Sequence, residues 1–297
     1  MTSGSLQPVI DVRELGRTYK NKVALDAVSL SVPKGCVFGL LGESGAGKTT
    51  LIRHLIGLLR PQRGTVRVLG KDPVHDPEGT LGRIGYLSED RDLPGWMRVD
   101  ELMRYTRGLY PHWDDAFAAE LRGKFDLTPE QRVKTLSKGQ KAKAGLLCAL
   151  AHRPDLLILD EPSSGLDPVV RRHILSAVMR NVAQEGRTVL FSSHLLDEVE
   201  RVADYVAVIH RGKLVLCDTL PNILGSHKHL HVEFPRPLSA APKLEGALHC
   251  EGDGAAWRVL CDGHSDAVRR QLAAAGARVV QETQPTLEDI FVARVGY

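Results

Sequence analysis

Two kinds of apolar pattern mark the strands of this chain. Near the N-terminus apolar and polar residues alternate with a period of two, which is typical of strands with one buried face. These segments are Val9–Arg13, Val28–Val32 and Thr65–Val68. Short, uniformly apolar runs predict strands buried on both faces, and they are Cys36–Leu41, Leu156–Leu159, Thr188–Phe191 and Tyr205–Ile209. Helical stretches separate these runs, so the pattern predicts a largely parallel α/β sheet beside an antiparallel one.

The middle and the end of the chain differ in composition. Residues 90–150 predict a helical subdomain that contains the aromatic residues Trp96, Tyr105, Tyr110 and Trp113. After Gly225 a stretch with Pro235, Pro237 and Pro242 indicates a linker or loop. The segments beyond it predict strand, helix, strand and helix at Trp257–Leu260, Asp266–Ala275, Arg278–Gln281 and Thr286–Val292. We therefore expect one large domain over residues 1–225 and a small α+β accessory domain over residues 226–297.

Composition and charge argue against several classes of protein. The 297 residues are 43% hydrophobic and 25% charged, as expected of a globular chain. The 39 basic and 36 acidic side chains leave a net charge of +3, so no nucleic-acid partner is expected. No apolar run reaches the roughly 18 residues that cross a bilayer, and the N-terminus lacks a signal-peptide pattern. We therefore expect a cytoplasmic protein whose five cysteines are reduced thiols.

The first chemical motif follows the strand Cys36–Leu41 and fits the pattern G-x-x-x-x-G-K-[ST]. Its glycines let backbone amides curl around phosphate oxygens, and the N-terminus of the helix predicted at Thr50–Leu59 favours anions. We expect Lys48 to contact the β- and γ-phosphates of a nucleotide and Thr49 to bind Mg²⁺. The predicted nucleotide contacts here are Gly42, Glu43, Ser44, Gly45, Ala46, Gly47, Lys48, Thr49 and Thr50.

Two acidic residues follow the apolar strand Leu156–Leu159. Carboxylates at the carboxyl end of a strand, beside a phosphate loop, are able to bind Mg²⁺ and to polarise water. We expect Asp160 to bind Mg²⁺ through water and Glu161 to act as the general base for the attacking water. The alternative is that the two acids merely end a strand at a turn.

Five motifs occur in one order along the chain and carry a family resemblance. They are GESGAGKT, LSKGQ, LLILDEP, SGLD and SH, which begin at Gly42, Leu136, Leu156, Ser164 and Ser193. In this order they resemble the nucleotide-binding domains of ATP-binding cassette (ABC) proteins, over about residues 9–225. The resemblance implies a P-loop NTPase (RecA-like) core with an antiparallel β-subdomain and a helical subdomain.

The resemblance also implies that the chain works as one half of a pair. In the family two such domains stack head to tail, and each ATP lies between the phosphate loop of one and the LSKGQ signature of the other. Carried over, Ser137, Gly139 and Gln140 contact the γ-phosphate of ATP held by the second subunit, and Asp167 lies at the dimer seam. The second domain is either an identical chain or a different one.

Two more residues gain roles from the resemblance. His194, in FSSHLLDEVE, corresponds to the switch histidine that contacts the γ-phosphate within its own subunit. Outside that context, a histidine after a buried strand is more often structural. Tyr19 corresponds to the aromatic residue that stacks on adenine, although a single tyrosine in Arg-Thr-Tyr-Lys is a weaker signal.

Two positions depart from the family pattern. Glu89 stands where the Q-loop usually has glutamine. Glutamate is still able to approach Mg²⁺, but its ionised form donates no hydrogen bond and adds negative charge beside ATP. Lys138 stands where many signatures have glycine, and it either offsets the charge of the partner's γ-phosphate or points to solvent. Neither change removes a group essential to hydrolysis.

The resemblance narrows the expected function further. Glu89, the run from Leu136 to Leu175 and the terminal PTLEDIF segment resemble cassettes of ABC-2-type exporters. We therefore expect the ATP-binding and ATP-hydrolysing subunit of a bacterial transporter, bound to transmembrane permease subunits at the cytoplasmic face of the membrane. The region Glu89–Trp113 is where the permease would dock, although its aromatic side chains could equally form subdomain core.

Two other functions compete with transport. A non-transport ABC ATPase is one, but such relatives usually carry two cassettes in one chain or a long coiled-coil insertion. A binding role without turnover is the other, and a missing Lys48 or Glu161 would have indicated it. In the C-terminal domain His227, His229 and His231 alternate on a predicted strand; no cysteine or carboxylate completes a metal site there, so we expect a solvated strand edge.

Overall fold

The computed structural model describes residues 7–90, 92–164, 179, 182–183, 185–263 and 265–296. The chain forms two compact units, Met1–Cys217 and Asp218–Tyr297. This boundary lies eight residues before the expected one (225 minus 217). The helix Leu220–Ser226 belongs to the second unit, where the Ile223 carbonyl lies 2.7 Å from Nδ1 of His227.

A three-stranded antiparallel sheet opens the first unit. Its order is β2–β1–β4, with β1 at Ile10–Tyr19, β2 at Lys22–Val32 and β4 at Arg63–Val68. Ile10 lies opposite Val32 on one side and Val68 on the other, and all three are buried. The predicted alternation is therefore present, and its apolar face joins the main core.

The main sheet has six strands in the order β5–β6–β7–β3–β8–β9. The strands are β3 (Val37–Leu41), β5 (Ile84–Leu87), β6 (Leu156–Leu159), β7 (Thr188–Ser193), β8 (Tyr205–His210) and β9 (Lys213–Thr219). β3 pairs in parallel with β7 and β8, and β6 pairs in parallel with β5 and β7. The carboxyl ends of β3, β7 and β6 therefore meet at one edge, as the uniformly apolar runs predicted.

The first unit also contains helices. They are α1 (Lys48–Leu55), α2 (Pro77–Leu81), α3 (Val99–Arg107), α4 (Asp115–Lys124), α5 (Lys138–Leu150) and α6 (Leu196–Val202), with a 3₁₀ turn at Val133–Thr135. Of these helices, α3 and α4 pack on α5. α1 is shorter at its C-terminal end than the predicted Thr50–Leu59, because Gly57 takes a left-handed φ of 73° there.

The aromatic side chains of the helical subdomain divide between core and surface. Tyr110 stacks on His152 with 3.8 Å between ring centroids. Trp96 and Tyr105 are 69% and 54% exposed. Tyr110 therefore packs within the subdomain, and docking of a permease at the exposed aromatic side chains stays a prediction. Among the described residues, no helix is both long and apolar enough to cross a membrane.

The second unit is a three-stranded antiparallel sheet with helices. Strand β10 (His227–Leu238) lies between β11 (Ala247–Asp262) and β12 (Arg278–Thr283). The helices are α7 (Leu220–Ser226), α8 (Ser265–Ala274) and α9 (Leu287–Val295). Its own core includes Leu230, Trp257 and Leu272.

Two expectations for this unit need correction. Pro235 and Pro237 lie within β10 rather than in a linker, whereas Pro242 lies in the predicted loop, between β10 and β11. The pairing of β10 with β11 shifts register between Glu233 and Leu238, where a missing N–H is tolerated. His227 and His229 are 1% and 7% exposed on a central strand, not on a solvated edge.

The histidines of β10 do have carboxylates beside them. Asp262 lies 3.7 Å from Nε2 of His227, and Asp289 lies 3.3 Å from Nε2 of His229. In the described part of the chain, however, no three His, Cys, Asp or Glu side chains form a group that could hold a metal ion.

Candidate nucleotide-binding site

The phosphate loop joins β3 to α1, and its glycines meet different constraints. A Cβ on Gly47 (φ 117°) would come within 2.6 Å of the Ala24 carbonyl oxygen, so only glycine fits. Gly45 (φ 81°) instead faces open space, with the Lys22 ammonium at 4.0 Å from such a Cβ. The loop therefore packs tightly against Ala24 at Gly47 and faces open space at Gly45, where a phosphate would lie.

Lys48 begins α1 and is 6% exposed. Its ammonium donates to the carbonyl oxygens of Gly42 at 2.6 Å and Glu43 at 3.3 Å, within the loop itself. It also forms an ion pair with Oε1 of Glu161 at 3.0 Å. The cation predicted to hold the phosphates is thus fixed at the loop and joined to the predicted base.

Asp160 and Glu161 follow β6 and meet residues from the end of β7. The Ser192 hydroxyl donates to Oδ1 of Asp160 at 2.7 Å and accepts from the backbone N–H of Glu161 at 2.8 Å. Oε2 of Glu161 lies 2.7 Å from Nδ1 of His194. Lys48, Glu161 and His194, predicted from separate motifs, therefore form one bonded chain of side chains.

Ser192 is a site residue that motif reasoning missed. It is fully buried and is the penultimate residue of β7, which pairs in parallel with β6, so it lies beside the acidic pair. The available signal was a polar residue at the end of an apolar run whose neighbour ends in Asp-Glu.

The loop, Glu161 and His194 line one cavity. Its volume is about 360 Å³, which suits a small-molecule ligand. The lining residues are Tyr19, Lys22, Ala24, Glu43, Ser44, Gly45, Gly47, Lys48, Thr49, Thr50, Glu89, Glu161 and His194. Most of the predicted phosphate contacts and the predicted adenine contact are thus brought together.

The signature residues lie elsewhere and bond to each other. Ser137 caps the N-terminus of α5: its hydroxyl accepts from the Gln140 N–H at 3.2 Å, and the Gln140 side chain accepts from the Ser137 N–H at 3.0 Å. Ser137 and Lys138 are exposed, and Gly139 is half-buried. Among the described residues that line the cavity, none belongs to the signature.

Comparisons with known proteins agree with this geometry. The family model described as ABC transporter matches residues 25–164. The chain is 33% identical to the daunorubicin/doxorubicin resistance ATP-binding protein of Streptomyces peucetius, over 97% of this chain and 92% of that protein. It is 32% identical to the ABC transporter ATP-binding protein YhaQ of Bacillus subtilis, over 97% and 99%. The chain belongs to the ABC transporter ATP-binding proteins.

Solved structures place the fold in the same family. An ATP-binding subunit of an ABC transporter superposes with a TM-score of 0.67 and 31% identity, covering 72% of this chain and 91% of that one. A dimeric bacterial ABC transporter cassette superposes with a TM-score of 0.64, and at 21% identity that likeness shows the fold alone.

The acidic side of the ABC site carries unbalanced charge. Burial raises the pKa of Asp160, and the hydrogen bond from Ser192 opposes that shift. Burial, together with the charges of Glu161 and Asp160, raises the pKa of Glu89. The charge of Glu161 disfavours the ionisation of both Asp160 and Glu89, so a cation would stabilise this side of the site.

The residues of this ABC subunit fit a magnesium ion. Oδ2 of Asp160 is buried and has no hydrogen-bond partner among the described residues. Thr49 and Glu89 line the cavity beside the phosphate loop. Hydroxyl and carboxylate oxygens are the ligands that Mg²⁺ prefers, so Thr49, Asp160 and Glu89 are the residues able to hold it.

Tyr19 lies at the rim of the ABC subunit's cavity. It is 39% exposed, and the Arg17 guanidinium lies 4.7 Å from its ring centroid on one face. Stacking of adenine on this ring remains a prediction, as does the place of Asp167 at the dimer seam. Asp167 lies outside the described residues.

Proposed function

We propose that this chain hydrolyses ATP to ADP and phosphate and thereby drives a bacterial transporter of the exporter type. The observation that carries the proposal is the position of the Glu161 carboxylate. It lies between the Lys48 ammonium at 3.0 Å and the His194 ring at 2.7 Å, on the wall of the cavity that the phosphate loop also lines.

The reaction follows from these positions. The loop amides and Lys48 bind the phosphates, and Glu161 takes a proton from the attacking water. A bond forms between the water oxygen and the γ-phosphorus, the bond to the bridging oxygen breaks, and ADP leaves. His194 holds the γ-phosphate and Glu161 in register. Mg²⁺, held by Thr49, Asp160 and Glu89, would neutralise phosphate charge.

A second cassette completes the site in this proposal, as an identical or a different chain. Support comes from the signature: Ser137 is exposed at the N-terminus of a 13-residue helix, an end that favours anions, and it lies apart from the cavity. We infer that it meets the γ-phosphate of ATP bound by the other subunit, so that ATP closes the dimer and hydrolysis opens it.

The transport role is supported by the similarity to a transporter subunit and by exposed apolar side chains of the helical subdomain. One relative is named a daunorubicin/doxorubicin resistance ATP-binding protein. In the helical subdomain Trp96, Tyr105 and Leu109 are 69%, 54% and 61% exposed. Exposed large apolar side chains grouped in one subdomain are typical of protein docking sites. We infer that a permease subunit docks there and holds the chain at the cytoplasmic face of the membrane.

Replacement of Glu161 by glutamine tests the hydrolytic proposal. The amide cannot accept the proton, so turnover should fall by about 10²- to 10⁴-fold while ATP binding remains. Phosphate release measures turnover, a fluorescent ATP analogue measures binding, and size-exclusion chromatography with ATP should show a trapped dimer. Glu120→Gln, an exposed residue paired with Lys124, is the control and should behave as wild type. Normal turnover in Glu161→Gln would remove Glu161 as the base.

Co-purification tests the transport role. The chain is expressed with the membrane proteins encoded beside it and extracted in detergent. We expect recovery as a complex, and a Trp96→Ala/Tyr105→Ala variant should bind less of the membrane protein while it keeps ATP turnover. Recovery of the chain alone under all of these conditions would contradict the role.

A further inference from the structure

Glu198 joins the ends of two motifs. It lies on α6, and its Oε2 accepts from the Ser163 hydroxyl at 2.8 Å. The Ser193 hydroxyl shares its single proton between the same Oε2 and the Leu195 carbonyl oxygen, each at 3.4 Å. Ser163 comes two residues after Glu161, and Ser193 comes directly before His194. Both serines are buried, at 1% and 0% exposure. One carboxylate oxygen thus holds the chain segments that carry the predicted base and the switch histidine.

The helix that carries Glu198 is fixed to the strand of the phosphate loop. Val199 packs over Gly39 of β3 so closely that a Cβ at Gly39 would lie 2.5 Å from Cγ1 of Val199. At the end of α6, the Asp204 carboxylate accepts from the Val37 N–H at 2.8 Å, and the Asp204 N–H donates to the Val37 carbonyl at 2.8 Å. Glu198 therefore has a defined position relative to the phosphate loop.

The segment around Glu161 needs such fixing. Glu161 has a φ of 45°, a left-handed conformation that is strained for a non-glycine residue and persists only where neighbours determine it. The Ser164 N–H donates to the Glu161 carbonyl at 3.1 Å, which makes a tight turn with Ser163 inside it. The bond from Ser163 to Glu198 holds this turn in addition to the bond from the Glu161 N–H to Ser192.

The segment around His194 is held in the same way. The Leu195 N–H donates to the Ser193 hydroxyl at 3.0 Å, which folds the backbone into a turn with His194 at its centre. His194 itself is solvent-facing, with 47% of its side chain exposed, so packing alone does not orient the ring. The orientation depends on the bond to Glu161 and on the backbone on either side, and Ser193 connects that backbone to Glu198.

We propose that Glu198 is a positioning residue for ATP hydrolysis, because it holds Glu161 and His194 in register through the hydroxyls of Ser163 and Ser193. The inference rests on the proposed function. Glu198 does not line the nucleotide cavity among its described residues, so its loss should affect the chemical step and leave ATP binding unchanged. Displacements of about 1 Å at a reacting group lower rates by as much as 10²-fold.

The test compares Glu198→Ala with Glu198→Gln. Alanine removes both acceptors, so kcat should fall by about 10- to 100-fold while the KM for ATP changes less than about twofold. Glutamine keeps an acceptor oxygen for both serines and should recover most of the activity. Asp197→Ala, an exposed acid one residue earlier on the same helix, is the matched control. Adding Ser163→Ala to Glu198→Ala should cause little further loss, because the two act through one bond.

A spectroscopic readout separates this inference from the proposed function. The ring of His194, ¹⁵N-labelled and observed by NMR, reports its hydrogen bond to Glu161 whether or not ATP is hydrolysed. We expect that signal to shift in Glu198→Ala and to return in Glu198→Gln. An unchanged His194 signal and normal kcat in Glu198→Ala would overturn the inference, and so would parallel loss of kcat, ATP binding and thermal stability. Failure of Glu161→Gln to lose turnover would overturn the proposed base alone.

Discussion

The two surfaces predicted to contact ATP are built in different ways. At the phosphate-loop surface, Lys48, Asp160 and Glu161 are buried and bonded to residues far away in sequence. At the signature surface, Ser137 and Gln140 are bonded to each other, three residues apart, at an accessible helix end. The first surface depends on the packing of the whole sheet, and the second depends on one helix cap.

This difference has consequences for mutation. Loss of Lys48 should disturb folding and ATP binding together, because the same buried ammonium serves both. A change at the signature should cost only the local cap and should leave ATP binding by the single subunit intact. The signature therefore offers a way to separate the contribution of the partner cassette from that of the chain itself.

The largest effect should follow Lys48→Ala. Loss of the buried cation leaves Glu161 without its ion pair, so we expect the unfolding free energy to fall by about 3 kcal/mol. ATP affinity should fall by about 10²-fold or more, since a buried charged contact to phosphate is lost. Urea denaturation and nucleotide titration measure the two effects. The control is Lys34→Ala, a change at an exposed lysine shortly before β3. An unchanged unfolding free energy would show that Lys48 is not held as the structure indicates.

A smaller and more selective effect should follow Ser137→Ala. Removal of the cap should lower the unfolding free energy by about 1 kcal/mol. ATP binding to the monomer should stay normal, while turnover and dimer trapping in the Glu161→Gln background are lost. Thr286→Ala is a matched control, because Thr286 caps α9 with the same reciprocal pair of bonds, to Asp289. If Thr286→Ala lowered turnover as much, the signature would have no special role.

Sequence patterns predicted the parallel sheet beneath the site better than the polar side chains that support it. Periodicity and motif order indicated which strands would end near the phosphate loop, because uniformly buried strands and a helix N-terminus leave a clear trace. Ser163 and Glu198 left no such trace, and Ser192 left only its place at the end of an apolar run, since the role of each depends on a partner at least 30 positions away.

Some patterns that were recognised in the sequence are compatible with two structural interpretations. Ser137 and Gln140 fit the capping box, S-x-x-Q, as well as a phosphate contact, and in the single chain the structure shows the cap. In the second unit, the alternation of His227, His229 and His231 predicted a strand correctly but not its burial. Alternation fixes which residues share a face, whereas burial depends on which strands lie on either side.

The smallest effect on stability should follow a change at Glu89, whose charge interacts with those of Glu161 and Asp160. Because burial and those neighbours raise its pKa above 4.5, the native state binds the proton more tightly than the unfolded chain does. Ionisation as the pH rises above about 4.5 therefore lowers stability. Glu89→Gln should match wild type in stability at that pH and exceed it increasingly at higher pH. The gain should stay below about 1 kcal/mol, because the side chain is exposed to solvent.

The same substitution should also tighten ATP binding several-fold, since one negative charge beside the triphosphate is lost. Thermal unfolding between pH 4.5 and 8 and nucleotide titration at low salt measure the two effects, with the exposed Glu130→Gln as control. A variant less stable than wild type at pH 8 would mean that the Glu89 carboxylate gains a favourable contact. The effect should be confined to the phosphate-loop surface: dimer trapping through Ser137 should not change, because Glu89 belongs to the cavity and Ser137 to the separate helix end.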